Sequence, residues 1–268
     1  AALRTRGWEL SINWNDRIGK DFTYSLGLIL SDSQAEITKY TNKNGSLSDH
    51  YVGEKIGEIR GYETEGFYQT ESDLTSHADQ AKLGSNWDLG DIMYKDLNND
   101  GKIDNGSNTL ADHGDLKVIG NTTPRYQYGI TANLGYKNIY MNIFFQGIGK
   151  RDYWPSSQPF WPVATQYYNT QKWFVTDSWS EDNRDAYFAR PIARETKNQQ
   201  KQTKYLQDAS YCRLKNLSVG YDFPTNWTNF LHLSKASIYF SAENLFEFTN
   251  VKGASGPEAA GKNGTMVY

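Results

Sequence analysis

Antiparallel β-structure of the kind that crosses a membrane is what this sequence predicts, and three observations predict it. Apolar and polar residues alternate with a period of two along six segments, the segments come in pairs joined by short or moderate connections, and long loops separate the pairs. Short connections at one end of antiparallel strands and long ones at the other are the signature of an all-β transmembrane barrel with long extracellular loops. Composition agrees: 38% of residues are hydrophobic, while Trp, Tyr and Phe reach 15%, so the apolar content is concentrated in rings.

In the first segment Trp8, Leu10, Ile12 and Trp14 share a face opposite Glu9, Ser11, Asn13 and Asn15. A polar connection, residues 15–21, leads to Phe22, Tyr24, Leu26, Leu28 and Leu30, opposite Thr23, Ser25 and Gly27, which closes a hairpin. Residues 31–125 lack sustained alternation, and an interval of that length is expected to carry its own hairpins or a function. Within it, residues 69–78 predict a short helix capped by Thr70 or Ser72. The second hairpin sets Tyr128, Ile130, Ala132, Leu134 and Tyr136 against Ile139, Met141, Ile143 and Phe145 across a Lys137-Asn138 turn. After a second long interval, residues 147–210, the third pairs Leu217, Val219, Tyr221 and Phe223 with Ala236, Ile238, Phe240 and Ala242 through a connection from Pro224 to Lys235. Beyond Phe248 the chain is Gly-rich, with no further clear strand.

Segments of about nine to eleven residues suit strands that cross a bilayer at a tilt. Aromatics near strand ends, Trp8, Trp14, Phe22, Tyr128, Tyr136 and Tyr221, fit interfacial girdles, and the small polar opposite face fits a wet lumen. A soluble β-sandwich with long loops shows the same alternation. Six strands are too few to enclose an interior, since barrels of this type start at about eight, so the pattern predicts an arc of a larger barrel. No apolar run is long enough for a membrane helix and no signal peptide stands at Ala1, as expected of a chain that starts inside a larger protein. A net charge of -3 offers no general basic surface to nucleic acid. Cys212, the single cysteine, leaves no intrachain disulfide and reads as a small semi-buried apolar residue.

One loop carries metal-type spacing. Asp96, Asn98, Asp100 and Asp104 occupy positions 1, 3, 5 and 9 of a calcium loop, with Gly101 at the sharp turn and the Lys102 carbonyl as a further ligand. Ser107 stands where an EF-hand places its closing Glu, so the motif is half of that signature, and an Asx-rich turn that binds nothing is the alternative. A structural calcium pinning an external loop is the expectation. In the second long interval Tyr153, Trp154, Phe160, Trp161, Tyr167, Tyr168, Trp173, Phe174 and Trp179 form an aromatic tract whose rings could stack on a sugar, anchor a protein partner, or pack loop against loop. His50, His77, His113 and His232 lack paired zinc spacing, no nucleophile elbow is present and no carboxylate pair is evident, so no catalytic residues are expected.

Five blocks occur in one order across most of the chain: GDIMYKDLNNDGKID at 90–104, IGNTTPRYQYG at 119–129, FFQGIGKRD at 144–152, RLKNLSVGY at 213–221 and AENLF at 242–246. In these blocks the sequence resembles the SusC/RagA class of TonB-dependent outer-membrane transporters of Bacteroidetes. That resemblance implies a barrel of about 22 strands filled by an N-terminal plug, a SusD-like surface lipoprotein as lid, and import of an oligosaccharide, or in some members a peptide, driven through TonB. Residues 1–268 would then be a C-terminal arc of that barrel, lipid on its outer face, with the plug, the TonB-linked N-terminal part and the final strand absent. A soluble calcium-stabilised carbohydrate-binding β module is the competing expectation, and a glycoside hydrolase a third.

Overall fold

The computed structural model describes residues 1–164, 169–230 and 232–252. In chain order its elements are β1 (Ala2–Ile18), β2 (Phe22–Lys39), β3 (Glu58–Gly61), β4 (Thr64–Phe67), α1 (Glu71–Ser76), β5 (Ile92–Tyr94), β6 (Lys117–Asn121), β7 (Arg125–Tyr136) and β8 (Ile139–Lys150). There follow β9 (Asp152–Tyr153), α2 (Lys172–Thr176), β10 (Gln207–Asp208), β11 (Tyr211–Asp222), α3 (Thr225–Phe230) and β12 (Ser237–Thr249). The three expected hairpins form one antiparallel six-stranded sheet in the order β1-β2-β7-β8-β11-β12. It is an open arc: the described strands do not close on themselves.

Register converts the alternation of each strand into two chemically opposite faces. One cross-strand row reads Trp14, Leu26, Ala132, Ile143, Leu217, Ala242; an adjacent row on the other face reads Asn15, Ser25, Asn133, Asn142, Ser218, Ser241. Because successive side chains point to opposite faces, a slip of one residue in any strand would interrupt both rows. The apolar face is largely uncovered: Ile12 is 50% exposed, Ile130 42% and Phe240 65%.

Beyond Leu217 the sheet keeps this division through a bulge. Phe144 and Phe145 of β8 sit opposite Asn216 and Leu214 of β11, so Lys215 is an extra residue, and β12 accommodates a further one between Glu243 and Phe246. Across Lys215 the apolar positions of β11 therefore change parity, from Leu217, Val219 and Tyr221 to Leu214 and Cys212, yet remain in line with Phe145 and Gly147. Phe145 and Phe246 are in ring contact at 6.3 Å across it. The change of parity hides this continuation from a strict period of two.

The first two strands are longer than the alternation suggests, 17 and 18 residues. Residues 2–7 pair with 33–39 although both stretches are mostly polar; there Leu3 stands opposite Ile37, which is buried and accepts and donates backbone bonds with Gly53 and Glu54. Where β2 and β7 part, Arg125 clamps Asp32 with two bonds of 2.5 and 2.6 Å, a bidentate geometry.

The first long interval does carry its own ladders, nested rather than consecutive: β3 pairs β6, and β4 pairs β5 inside them. The expected helix is α1, with Thr70 as N-cap and Asp73 completing a capping box. Amide donors of Gln69 and Thr70 hold the Asp73 carboxyl below its usual pKa. The described residues of 40–124 and 151–210 then pack together into one cap at the end of the sheet away from the tight turns.

The bulge generates a test. Asn244 has φ of 51°, a left-handed conformation that Gly adopts freely and a β-branched residue does not. Asn244→Gly should leave the thermal midpoint of the whole receptor near wild type, whereas Asn244→Val should lower it, at a cost of about 1–3 kcal/mol.

Candidate functional site

The cap is where loops of both long intervals converge, and its interior is aromatic. Tyr62, Phe67, Ile92, Tyr94 and Ile103 of the first interval are buried against Trp154, Phe160, Trp161, Phe174, Trp179, Phe188 and Tyr205 of the second. Phe188 is the hub, with ring centres of Phe160, Trp173, Phe174, Tyr187 and Tyr205 between 4.7 and 5.8 Å away. These edge-to-face, tilted and, for Tyr205, stacked geometries each add to the burial of apolar area.

This placement corrects the contact role expected for most of the aromatic tract. Tyr153, Trp154, Phe160 and Trp161 are between 2% and 8% exposed, which leaves no ring face for a sugar or a partner. Their rings serve loop-on-loop packing, and Trp161 donates through Nε1 to the Pro155 carbonyl at 2.7 Å. Trp173 is half-buried against the same core. Tyr167 and Tyr168 lie outside the described residues.

A charged centre ties the two intervals. Asp91 is fully buried, and its carboxylate receives Arg190 through Nε and Nη2 at 2.8 and 2.9 Å, Lys197 at 2.8 Å and the Asn198 amide at 2.8 Å. Arg190 also reaches Asp88 at 2.9 Å, and Lys197 donates to the Ser85 and Asn86 carbonyls at 3.0 and 2.6 Å. Asn198 accepts from the Ile92 amide and Tyr94 donates to the Lys197 carbonyl, so the ion cluster is stitched directly to β5. Asp91 raises the pKa of Arg190, as a bound carboxylate does. Gly90 beside it has φ of +82°, and a Cβ there would come within 2.2 Å of the Trp179 ring, so the backbone can pass only as glycine.

The Asp96 loop follows β5 directly. Gly101 takes φ of +80°, as its position demanded. Asp96 accepts from the amides of Asn99 and Gly101 at 2.6 and 2.9 Å, Asn98 from Asp100 at 3.0 Å, Asp100 from Lys102 at 2.9 Å, and Asp104 from Gly106 at 2.7 Å. Buried Asp115, whose role the spacing did not reveal, fastens both ends by accepting from Leu97 and Asp104 at 2.7 and 2.9 Å. Burial beside Asp115 and Asp104 pushes Tyr62 up to about 12. Among the described residues, no three His, Cys, Asp or Glu side chains converge as a ligand set.

Two further features bear polar or cationic groups, one half-buried at the cap and one on the sheet. At the cap, Tyr187 lies with the Lys252 ammonium 3.7 Å from its ring centre and Lys204 at 6.0 Å, while Lys204 sits 4.4 Å from Phe67. Burial lowers Lys204 and pushes Tyr187 up to about 12. The sequence offered Lys204 and Lys252 only as isolated charges. Below the cap, the polar sheet face presents its Asn and Ser row and the Arg213–Glu247 pair.

The comparisons with known proteins agree with this architecture. No family model matches the chain. It is 30% identical over 275 residues to TonB-dependent receptor P3 of Formosa agariphila, covering 97% of this chain and 26% of that protein. It is 22% identical over 259 residues to TonB-dependent receptor SusC of Bacteroides thetaiotaomicron, covering 94% of this chain and 24% of that one. The chain is a portion of a SusC/RagA-family TonB-dependent receptor. The solved RagAB peptide transporter superposes with a TM-score of 0.68 at 20% identity, over 97% of this chain and 27% of the other, so the fold is shared as part of that larger chain. The chain thus spans about a quarter of the length of the curated relatives it matches. The SusC/RagA family consists of transporters, not enzymes.

The charged centre makes a specific expectation. Asp91→Asn leaves the Lys197 ammonium, 1% exposed, without its counter-ion. Losing one member of such a buried pair costs about 3–5 kcal/mol, and in the whole receptor it should expose the cap to limited proteolysis at concentrations the wild type resists. The double variant Asp91→Asn with Lys197→Met should recover part of that protection.

Proposed function

We propose that this SusC/RagA chain is an arc of an outer-membrane import barrel, lipid against its apolar face and the lumen against its polar face. One observation carries the reading: six paired strands present a continuous apolar face that no described element covers, backed by a continuous polar one. Water on both faces would leave that apolar surface without a partner, whereas a bilayer on one side and a wet lumen on the other match each face. A soluble carbohydrate-binding module would need a second sheet over the apolar face.

In this reading the cap stands outside the membrane, at the end of the sheet opposite the tight turns. It forms one wall of a substrate chamber under a SusD-like lipoprotein lid. The cargo is an oligosaccharide or a peptide, and release is driven through TonB acting on parts of the receptor beyond this chain. The RagAB peptide transporter, which shares the fold, supports a peptide; the oligosaccharide rests on the family resemblance of the sequence blocks alone. Capture would use Tyr187 with Lys204 and Lys252, half-buried Trp173 and the polar sheet face, while the buried rings hold the wall's shape. Purification of the whole receptor tests this directly: a co-purifying lipoprotein with a glycan or peptide between the two is expected, and a chain soluble without detergent would refute the barrel.

The lipid face gives a paired expectation. Ile143 is the middle outward residue of β8 and Asn142 its polar-face neighbour. Ile143→Arg should destabilise the receptor in phospholipid by about 2–4 kcal/mol, the cost of a cation near the bilayer midplane, while Asn142→Arg should shift the unfolding midpoint less.

The Asp96 loop would act as an external clamp, with calcium as its ion: Asp96, Asn98, Asp100, the Lys102 carbonyl and Asp104 would have to draw in around it, because their carboxylates do not converge in this structure. Oxygens that accept one amide bond each retain lone pairs for a hard cation. Calcium should slow proteolysis within residues 96–107 of the whole receptor and a chelator should reverse it. No response to either would identify the loop as an Asx turn sustained by its own hydrogen bonds.

A further inference from the structure

The three connections at the turn end of the sheet differ in chemistry. Residues 19–21 are Gly-Lys-Asp and residues 137–138 are Lys-Asn, both polar. The connection after β11 instead carries α3 and three large exposed apolar side chains, Trp227 at 59%, Phe230 at 83% and Leu233 at 46%. Most of the apolar area of this segment is turned outward, where the described protein leaves it uncovered.

Its attachment shows which side it serves. Tyr221 is on the apolar sheet face, opposite Ile139 and Ile238. From Tyr221 a chain of rings continues to Phe223, at 5.4 Å and edge-on, and from Phe223 to Trp227, stacked at 6.2 Å. The exposed face of α3 is therefore an extension of the sheet's apolar face past its last row. Thr228 on the inner side is buried and donates to the Thr225 carbonyl at 3.2 Å, and Leu233 closes the segment by donating to the Thr228 carbonyl at 2.9 Å. Charges of both signs rim the same end: Arg17, Lys20, Lys137 and Lys235 beside Asp16, Asp21 and Asp222, with Lys235 paired to Asp222 at 3.3 Å.

We propose that α3 is an interfacial anchor, whose Trp227, Phe230 and Leu233 insert into the headgroup–acyl boundary of the phospholipid leaflet at the turn end. Continuity with the apolar sheet face identifies the occupant as lipid, and the charged and polar groups around it suit the headgroup layer. The anchor fixes the depth of this arc in the bilayer where the other two turns have no apolar grip. The proposal rests on the barrel reading above.

The experiment uses the whole receptor, its other reachable cysteines replaced by serine, in nanodiscs of phosphatidylethanolamine and phosphatidylglycerol. A nitroxide is placed in turn at Phe230→Cys, at Ile130→Cys on the sheet face and at Val52→Cys on the cap. Collision rates with oxygen and with a water-soluble nickel chelate are then compared. Oxygen should exceed the chelate at 230 and at 130, with the reverse at 52. Lipid-like behaviour at 130 with chelate access at 230 overturns the anchor while leaving the barrel intact. Protection from both reagents at 230 also overturns it, because a protein then covers α3. Chelate access at 130 and 230 alike overturns the barrel reading and the anchor together.

Discussion

The cap depends on one buried carboxylate. Asp91 sits in the first long interval and receives Arg190, Lys197 and Asn198 from the second, across about a hundred residues of sequence. Desolvating a carboxylate and an ammonium is expensive, and the geometry offsets it by giving every donor on Lys197 and both oxygens of Asp91 a partner. The aromatic core then forms around a pre-set join: β5 follows Asp91 directly, Ile92 and Tyr94 are fully buried, and Phe188 and Tyr205 arrive from the other interval. The same intervals are also joined by backbone bonds between Tyr62 and both Lys201 and Thr203, by Thr64 with Gln202, and by the shared aromatic core.

The sheet obeys a different constraint, that each face keeps one polarity over six strands. Apolar burial in a soluble core would hide Ile12, Ile130 and Phe240, yet here they are exposed and aligned. The bulge at Lys215 shows how strictly the division is kept, because the backbone departs from regular pairing there and the faces do not mix. The cap has its own core, and much of the sheet's apolar face is left exposed by the described residues. This division is what a membrane strand array with external loops requires.

How much of this the residues disclosed varies by element. The three hairpins were legible because alternation with a period of two reports a sheet with unlike faces, and Thr70 followed by Asp73 reported α1. The outer halves of β1 and β2 were not, since residues 2–7 and 33–39 are mostly polar and are specified only by pairing and by contact with the cap. The aromatic tract was legible as a place and misleading as a surface: a ring that stacks on Phe188 and one that stacks on a sugar have the same letters. Asp91 and Asp115 flank the Asp96 loop in the chain and belong to no motif of their own. Their buried partners are distant in the chain or lie on backbone amides, and neither leaves a spacing to read.

The central claim is that the cap is one unit held by Asp91 across the two intervals. Hydrogen exchange followed by mass spectrometry on the whole receptor in lipid measures this most directly, in peptides covering residues 90–94 and residues 186–205. The account predicts that both sets exchange slowly and with a common opening rate, as a single cooperative unit does. Fast exchange in residues 186–205 beside slow exchange in residues 90–94 would contradict it.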